Sequence, residues 1–323
     1  MNTTPRVPAI NSSDFEEIKC YLCGKKDYKH FTVAEDDLGG RPGKFMFVTC
    51  NQCGLGYQNP RLNINKISEY YDDEYIAHRK KTNWGPLTPL YRWAMQRHDK
   101  QKVKISSKYI EINQKTRALD IGCGAGTFLL MLKEKFSSDV TGVDFKDLNS
   151  LPGFDKIDFK QGLFYEQNFY KRKFDLITMW HFLEHDYEPS RTLKLAKELL
   201  TETGRIIIEV PRLDSLSFKL YKERWPGLQA PQHTLLFNKE TLLAMAEKSG
   251  REVIDYLPYG AFPSYFYLFT GFAFKLLKGK GLNLSRAILP YFIGNFLLAP
   301  LLLFERRFNL AMQTIILGIK DHK

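Results

Sequence analysis

The stretch WHFLEH, Trp180 to His185, places two histidines and a glutamate within six residues. At helical spacing His181, Glu184 and His185 are i, i+3 and i+4 and would share one face. Such a face could hold a metal ion, supply a general base, or build a turn. In the last case Glu184 and His185 bond to backbone while Glu188 and Pro189 open the next helix. His233, in APQHTLLF, offers the same choice between base and loop anchor. Because imidazole titrates near neutrality, His181, His185 and His233 are the candidates for taking a proton from a substrate.

Four of the five cysteines form a second constellation. Cys20 and Cys23 in CYLCG, then Cys50 and Cys53 in CNQCG, are two knuckles separated by 26 residues. Two such pairs converge on one tetrahedral ion and predict a zinc ribbon. Gly24 and Gly54 follow the pairs, where a knuckle turns through positive φ. Four thiolates leave the ion no open position, so its role is structural. Buried or disulfide-bonded pairs are the competing reading, disfavoured by a reducing compartment.

The elements that position these groups alternate along the chain. Strand-like runs occupy 117–123, 139–145, 156–162, 174–180 and 204–210, with helical patterns such as TFLLMLKEKF and SRTLKLAKELL between them. Apolar strands joined by helices predict a parallel sheet covered on both faces. Ligands bind such sheets beyond the carboxyl ends of the strands, which is where WHFLEH falls. The first strand runs into DIGCGAGTF, whose Gly122, Gly124 and Gly126 admit a ligand close to the backbone. Thr127 stands where a dinucleotide fingerprint requires glycine, so nicotinamide binding is disfavoured. Asp144, ending the second strand, is placed to accept hydrogen bonds from two ribose hydroxyls, so a nucleoside ligand is still expected.

LDIGCGAGTFL, VTGVDF, FDLITMWHFLEHDYEP, LLTETGRIIIEVP and APQHTLLFNKETLLAMAEKSG together resemble the successive motifs of class I S-adenosylmethionine-dependent methyltransferases, in the branch related to ubiquinone-biosynthesis O-methyltransferases. The resemblance covers about residues 100–260. It implies a Rossmann-like, doubly wound α/β fold with a seven-stranded sheet. Asp120, Gly122, Gly124 and Gly126 would then line the methionine part of the cofactor and Asp144 its ribose. Phe145 would cover one adenine face, Leu163 and Phe164 the adenine edge, and Trp180 and His181 would close the pocket. Cys123, within the glycine loop, serves as a small residue. The ribbon followed by CGLGYQNP is similar to the zinc domain of some sugar C-methyltransferases, but the further C-terminal domain of those enzymes has no counterpart here.

In some relatives the turn reads E-x-x-E-H and holds a divalent metal. His181 replaces the first glutamate, which disfavours magnesium. WHFLEH is therefore expected to border cofactor and acceptor without a metal. Methyl transfer needs mainly alignment of acceptor and methyl group, and a hydroxyl or carbon acceptor must also lose a proton. The expected acceptor is small or linked to lipid or glycan. RNA 2′-O-methylation is an alternative for which no RNA-binding module is recognisable. A protein that keeps the fold and binds without turnover is another, opposed by the intact loop glycines and Asp144.

The charge distribution bears on location. Of the net charge of +11, residues 261–323 carry eight Lys or Arg against Glu305 and Asp321. These flank uncharged runs at 261–274 and 287–304, a pattern that suits an anionic membrane surface better than nucleic acid. The expected organisation is a ribbon over 1–60, a packed and solvated helical linker over 61–114, with Tyr71 or Tyr75 over a pocket as the alternative to a linker without a site, and a methyltransferase core over 115–260. An apolar helical insertion over 261–308 and a last strand within 309–323 complete it. MNTTPRVPAI is short and polar, so a cytoplasmic protein is expected. Two full membrane spans would put basic residues outside, so the insertion is expected to lie on the inner leaflet, with a dimer interface as the alternative.

Overall fold

The computed structural model describes residues 10–71, 88–248, 250–278, 280–282, 284–298, 300 and 304–319. Short strands open the chain: β1 (Phe15–Glu16), β2 (Tyr28–Ala34), β3 (Phe45–Cys50), β4 (Gly56–Gln58) and β5 (Arg61–Leu62). Each cysteine pair closes a tight knuckle, with Gly24 donating to Cys20 O at 2.8 Å and Gly54 to Cys50 O at 3.0 Å. Both glycines lie at positive φ, 73° and 75°, as the knuckles require.

Helices α1 (Ile64–Ile67) and α2 (Thr88–Ser106) lead to the alternating region. It runs β6 (Arg117–Ile121), α3 (Thr127–Phe136), β7 (Asp139–Asp144), β8 (Asp158–Gln161), β9 (Phe174–Trp180), α4 (Pro189–Leu199) and β10 (Leu200–Pro211). Then come α5 (Leu216–Tyr221), β11 (Leu235–Leu236), α6 (Lys239–Glu247), β12 (Glu252–Leu257), α7 (Ser264–Leu277), α8 (Leu284–Leu298), α9 (Glu305–Phe308) and β13 (Met312–Gly318).

Seven strands form one sheet in the order β12-β13-β10-β9-β6-β7-β8. The five strands expected from the apolar runs, β6 to β10, are mutually parallel, while β13 runs antiparallel to both neighbours. The expected last strand is buried along its whole length because it lies between β10 and β12. Alternation splits β10 between two cores: Ile206 and Ile208 pack with Leu193 of α4 and Leu242 of α6, and Ile207 with Leu129 and Leu132 of α3. Strand order reverses at β6, opening a crevice beyond the carboxyl ends of β6 and β9.

Residue 60 marks no seam between ribbon and core. Strand β4 pairs with β11, so the core contributes an edge to a second sheet, β11-β4-β3-β2. Gln58 Nε2 donates to Pro231 O at 2.8 Å and to His233 O at 2.6 Å, tying the ribbon to the loop that carries His233. Within 61–114 the described residues include the short β5 as well as α1 and α2, and Tyr75 lies outside the described residues. The described part of the apolar insertion forms α7 and α8, and α8 carries Pro290 within it. No helix among the described residues is long and apolar enough to cross a membrane.

Candidate active site

The loop from β6 to α3 passes through Gly122, Gly124 and Gly126 at φ of 73°, 50° and 68°. A Cβ at Gly122 would lie 2.6 Å from the Phe182 ring, so glycine serves contact there as well as conformation. Asp144 ends β7 with Oδ2 accepting from Gly124 N at 3.0 Å and Oδ1 from Lys146 N at 3.1 Å. Asp120, at the end of β6, accepts from Thr178 Oγ1 of β9 at 2.6 Å. Burial pushes its carboxyl up to about 7, with Asp99 and Asp144 adding to the shift while Lys102 and Thr178 oppose it.

Helix α2 lies against this loop. Lys102 Nζ sits 3.7 Å from Asp99 Oδ1 and 5.7 Å from the centroid of the Trp180 ring, which packs edge-on against Phe128 at 5.7 Å. Trp180 Nε1 is buried with no acceptor among the described residues. A buried carboxyl at the end of β6 fits the cationic end of S-adenosylmethionine, and Asp144 fits the ribose. Phe145 packs on Tyr71 at 4.9 Å, which brings Tyr71 to this edge. Leu163 leads into the turn at Phe164–Glu166. Phe164 departs from the expectation: its ring is buried against Phe169, so only its backbone would be offered to an adenine edge.

WHFLEH does not form the helical face that its spacing suggests. His181 adopts φ +56°, rare for a residue with a Cβ, and only Leu183–His185 make a turn of 3-10 helix before Pro189 opens α4. His181 is thereby turned toward β10, with Nε2 3.1 Å from Glu209 Oε1 and its backbone N–H bonded to Glu209 O. Its Nδ1 is 3.3 Å from Glu184 Oε1, an ion-pair contact not aligned as a hydrogen bond. Burial alone would lower the imidazolium, but Glu184 and Glu209 override it and raise His181 to about 9. The two carboxylates thus favour the protonated imidazole of His181, which opposes a role as general base.

The other two histidines meet each other. His185 and His233 are T-stacked with centroids 4.4 Å apart. His185 Nδ1 lies 2.9 Å from Tyr71 Oη and 3.1 Å from Gln232 O, and His233 Nδ1 donates to Gly227 O at 2.8 Å. Burial holds His233 below the usual histidine range. Glu184, His185 and His233 place one ligand atom each within 4.8 Å of one another, a grouping that excludes His181.

At the ribbon, Cys20, Cys23, Cys50 and Cys53 converge likewise. The Sγ atoms of Cys20 and Cys53 are 3.5 Å apart and those of Cys23 and Cys50 3.4 Å. A tetrahedron with 2.3 Å arms has edges of about 3.8 Å, so the donors fit a zinc ion.

Several residues at this edge are missing from the sequence reading. Glu209 is fully buried and accepts from Ala261 N at 2.5 Å and Phe262 N at 3.0 Å; its signal was a lone carboxylate in the apolar run GRIIIEVP. Phe262 packs on His181 at 5.0 Å and on His98 of α2 at 5.5 Å. Burial and then Lys102 lower His98 to about 4, so it is neutral at physiological pH. Lys102, Asp99 and His98 stand in QRHDKQK, where nothing distinguished them from a solvated linker face.

A family model described as a methyltransferase domain matches residues 91–256, just over half of the chain, and the chain belongs to that family. It is an S-adenosylmethionine-dependent methyltransferase. Among solved structures it is similar to a candidate sarcosine dimethylglycine methyltransferase from Galdieria sulphuraria, at 15% identity over 70% of this chain and 86% of that one, with a TM-score of 0.48. It is similar also to an S-adenosylmethionine-dependent methyltransferase from Clostridium acetobutylicum, at 12% identity over 80% and 99%, with a TM-score of 0.45. A third is phosphoethanolamine N-methyltransferase 2 of Haemonchus contortus in complex with S-adenosylhomocysteine, at 18% identity over 69% and 53%, with a TM-score of 0.46. No curated protein matches the sequence.

Proposed function

We propose that the protein methylates a hydroxyl of an amphiphilic acceptor, small or linked to lipid or glycan, at the cytoplasmic membrane surface, with a structural zinc in its ribbon. The observation that carries this reading is the junction at Phe262, which touches His181, bonds to Glu209 and leads directly into α7. Helix α7 buries one face on α5, where Gly271 lies against the Tyr221 ring, and turns Phe272 and Leu276 to solvent. Helix α8 packs on α7 through Gly294 and Phe269 and exposes Leu289, Ile293, Phe296 and Leu297. Lys275 and Lys278 at the end of α7, followed by Lys280, add cations beside this apolar surface. Exposed apolar helices edged by lysine suit an anionic leaflet, from which an amphiphile would reach the crevice.

Bound S-adenosylmethionine supplies an activated methyl group on a sulfonium. The glycine loop and Asp144 hold its nucleoside, Asp120 its cationic end, and Phe182 packs over Gly122. His233 and the His185 ring stacked on it are the imidazoles that take the acceptor proton, while His181 and Glu209 fix the start of the apolar hairpin.

Flotation with anionic vesicles tests the location, paired with transfer of a labelled methyl group into the lipid extract. Binding at low salt that is lost in Phe296→Glu/Leu297→Glu is expected. Wild-type protein that stays off vesicles, and forms a dimer dissociated by the same double substitution, would assign the surface to an oligomer instead.

A further inference from the structure

We propose that Arg61 is a positioning residue for the acceptor side, fixing the turn that carries His185 and tying that turn to the first knuckle of the ribbon. The role rests on the reading above, in which His185 and His233 take the acceptor proton. Arg61 stands in β5, only 7% exposed, and its partners come from three separate parts of the chain. Its Nε donates to Glu16 Oε1 at 2.7 Å on the paired strand β1. Its Nη1 donates to Tyr21 Oη, within the CYLC knuckle, and to Tyr187 O at 3.3 Å. Its guanidinium carbon lies 4.0 Å from the centroid of the Tyr187 ring and 5.3 Å from that of Tyr21. Tyr187 in turn donates its hydroxyl to Leu62 O at 2.7 Å, so the ring that Arg61 covers is pinned at its far end as well.

The turn needs such a hold. Between Trp180 at the end of β9 and Pro189 at the start of α4, only Leu183–His185 make a turn of 3-10 helix, after which Asp186 is extended and Glu188 irregular. Its place is therefore set by tertiary contacts. Thr234 N donates to Glu184 O at 2.8 Å on one side of His185, and Arg61 holds Tyr187 on the other. His185 lies between the two anchors, and a displacement of about 1 Å at a reacting group is worth on the order of 100-fold in rate.

Packing alone does not explain the charge. In a buried site an apolar side chain of similar volume is commonly as stabilising as an ion pair, whereas a planar fork of donors fixes direction. Nη1 bridges Tyr21 and Tyr187, so a shift of the first knuckle is carried to the turn without passing through the glycine loop or Asp144.

The test follows the His185 ring itself, which requires no acceptor. It uses full-length protein with 13C-labelled histidine. Arg61→Lys keeps the charge and loses the fork, so the His185 resonance should move while that of His98 stays. Affinity for S-adenosylhomocysteine, read by calorimetry, should remain within about threefold of wild type. Transfer of labelled methyl groups into the lipid extract should fall by about tenfold or more in kcat, with KM for S-adenosylmethionine unchanged. Tyr21→Phe removes one acceptor and keeps the ring; it should move His185 in the same direction by less, and it decides the matter if Arg61→Lys fails to fold. An unmoved His185 resonance in the folded variants overturns the proposal. So does a loss of cofactor affinity in parallel with turnover, which would make Arg61 a general support of the fold. If the wild type transfers no methyl group to lipid, the acceptor reading fails, and the His185 resonance still decides for or against Arg61.

Discussion

The two sides of the crevice are built by different rules. On the β6–β7 side one loop places Gly122, Gly124 and Gly126 within five residues, and Asp144 closes the arrangement by accepting from Gly124 N–H. On the β9–β10 side Glu184 comes from a turn, His233 from a loop pinned by the ribbon, Glu209 from the interior of a strand and Phe262 from the start of the insertion. A nucleoside is held largely through backbone, whose conformation demands particular residues at particular positions. An acceptor is met by side chains, which any element ending at the same sheet edge can supply. The first side should therefore fail locally when altered, and the second should fail from a distance.

The largest expected effect tests that distance. Cys20→Ser removes one thiolate from the ribbon, and structural zinc contributes on the order of 10 kcal/mol of folding free energy in small domains. Because β4 supports β11 and Gln58 holds the backbone at Pro231 and His233, the damage should spread into residues 229–236. Limited proteolysis should find new cuts both in the ribbon and in this loop, with affinity for S-adenosylhomocysteine changed by no more than about threefold, since distant sites are nearly independent. Loss of cofactor binding would mean that the two sides fold as one unit, and a protected loop would mean that the ribbon is only an attachment.

This contrast also governs what was legible in the sequence. The parallel strands, the last strand, the glycine loop and the cysteine knuckles could be read because each is dictated by local backbone chemistry or by apolar periodicity. The orientation of His181 could not. Helical spacing joins it to Glu184 and His185 on one face, but a single left-handed residue turned it to Glu209, 28 positions along the chain. Phe164 is a similar case, since pattern alone does not say which side of a short turn faces the core. Asp99 and Lys102 belong to the cofactor side yet lie on a helix outside its motifs, and only packing of α2 brings them to Asp120 and Trp180.

An intermediate effect is expected at Asp144. Asp144→Ala removes the proposed acceptor for two ribose hydroxyls and should cost about 3 kcal/mol, roughly 100-fold in S-adenosylhomocysteine affinity. If the two sides are independent, the loop over residues 229–236 should keep its wild-type protection from limited proteolysis in this variant. Calorimetry reads the affinity on the same preparation. Cofactor binding within about threefold of wild type would remove Asp144 from the site, and new cuts in the loop would join the two sides.

The smallest expected effect is a pH dependence confined to the cofactor side. Burial, reinforced by Asp99 and Asp144, raises Asp120 from 3.8 to about 7. A carboxyl whose folded pKa is raised binds more protons in the folded state, so its contribution to stability is present at low pH and is lost as pH rises from about 4 through 7. Cofactor binding should respond in the opposite sense. A cationic amine beside Asp120 favours the carboxylate, so below pH 7 the proton must leave when the ligand enters. Affinity should then fall by up to about tenfold for each pH unit below 7, with proton release approaching one per site in buffers of different ionisation enthalpy. Asp120→Asn should flatten both trends, because the side chain keeps its bond to Thr178 and no longer titrates. Proton release that persists in this variant would assign the titration to another group.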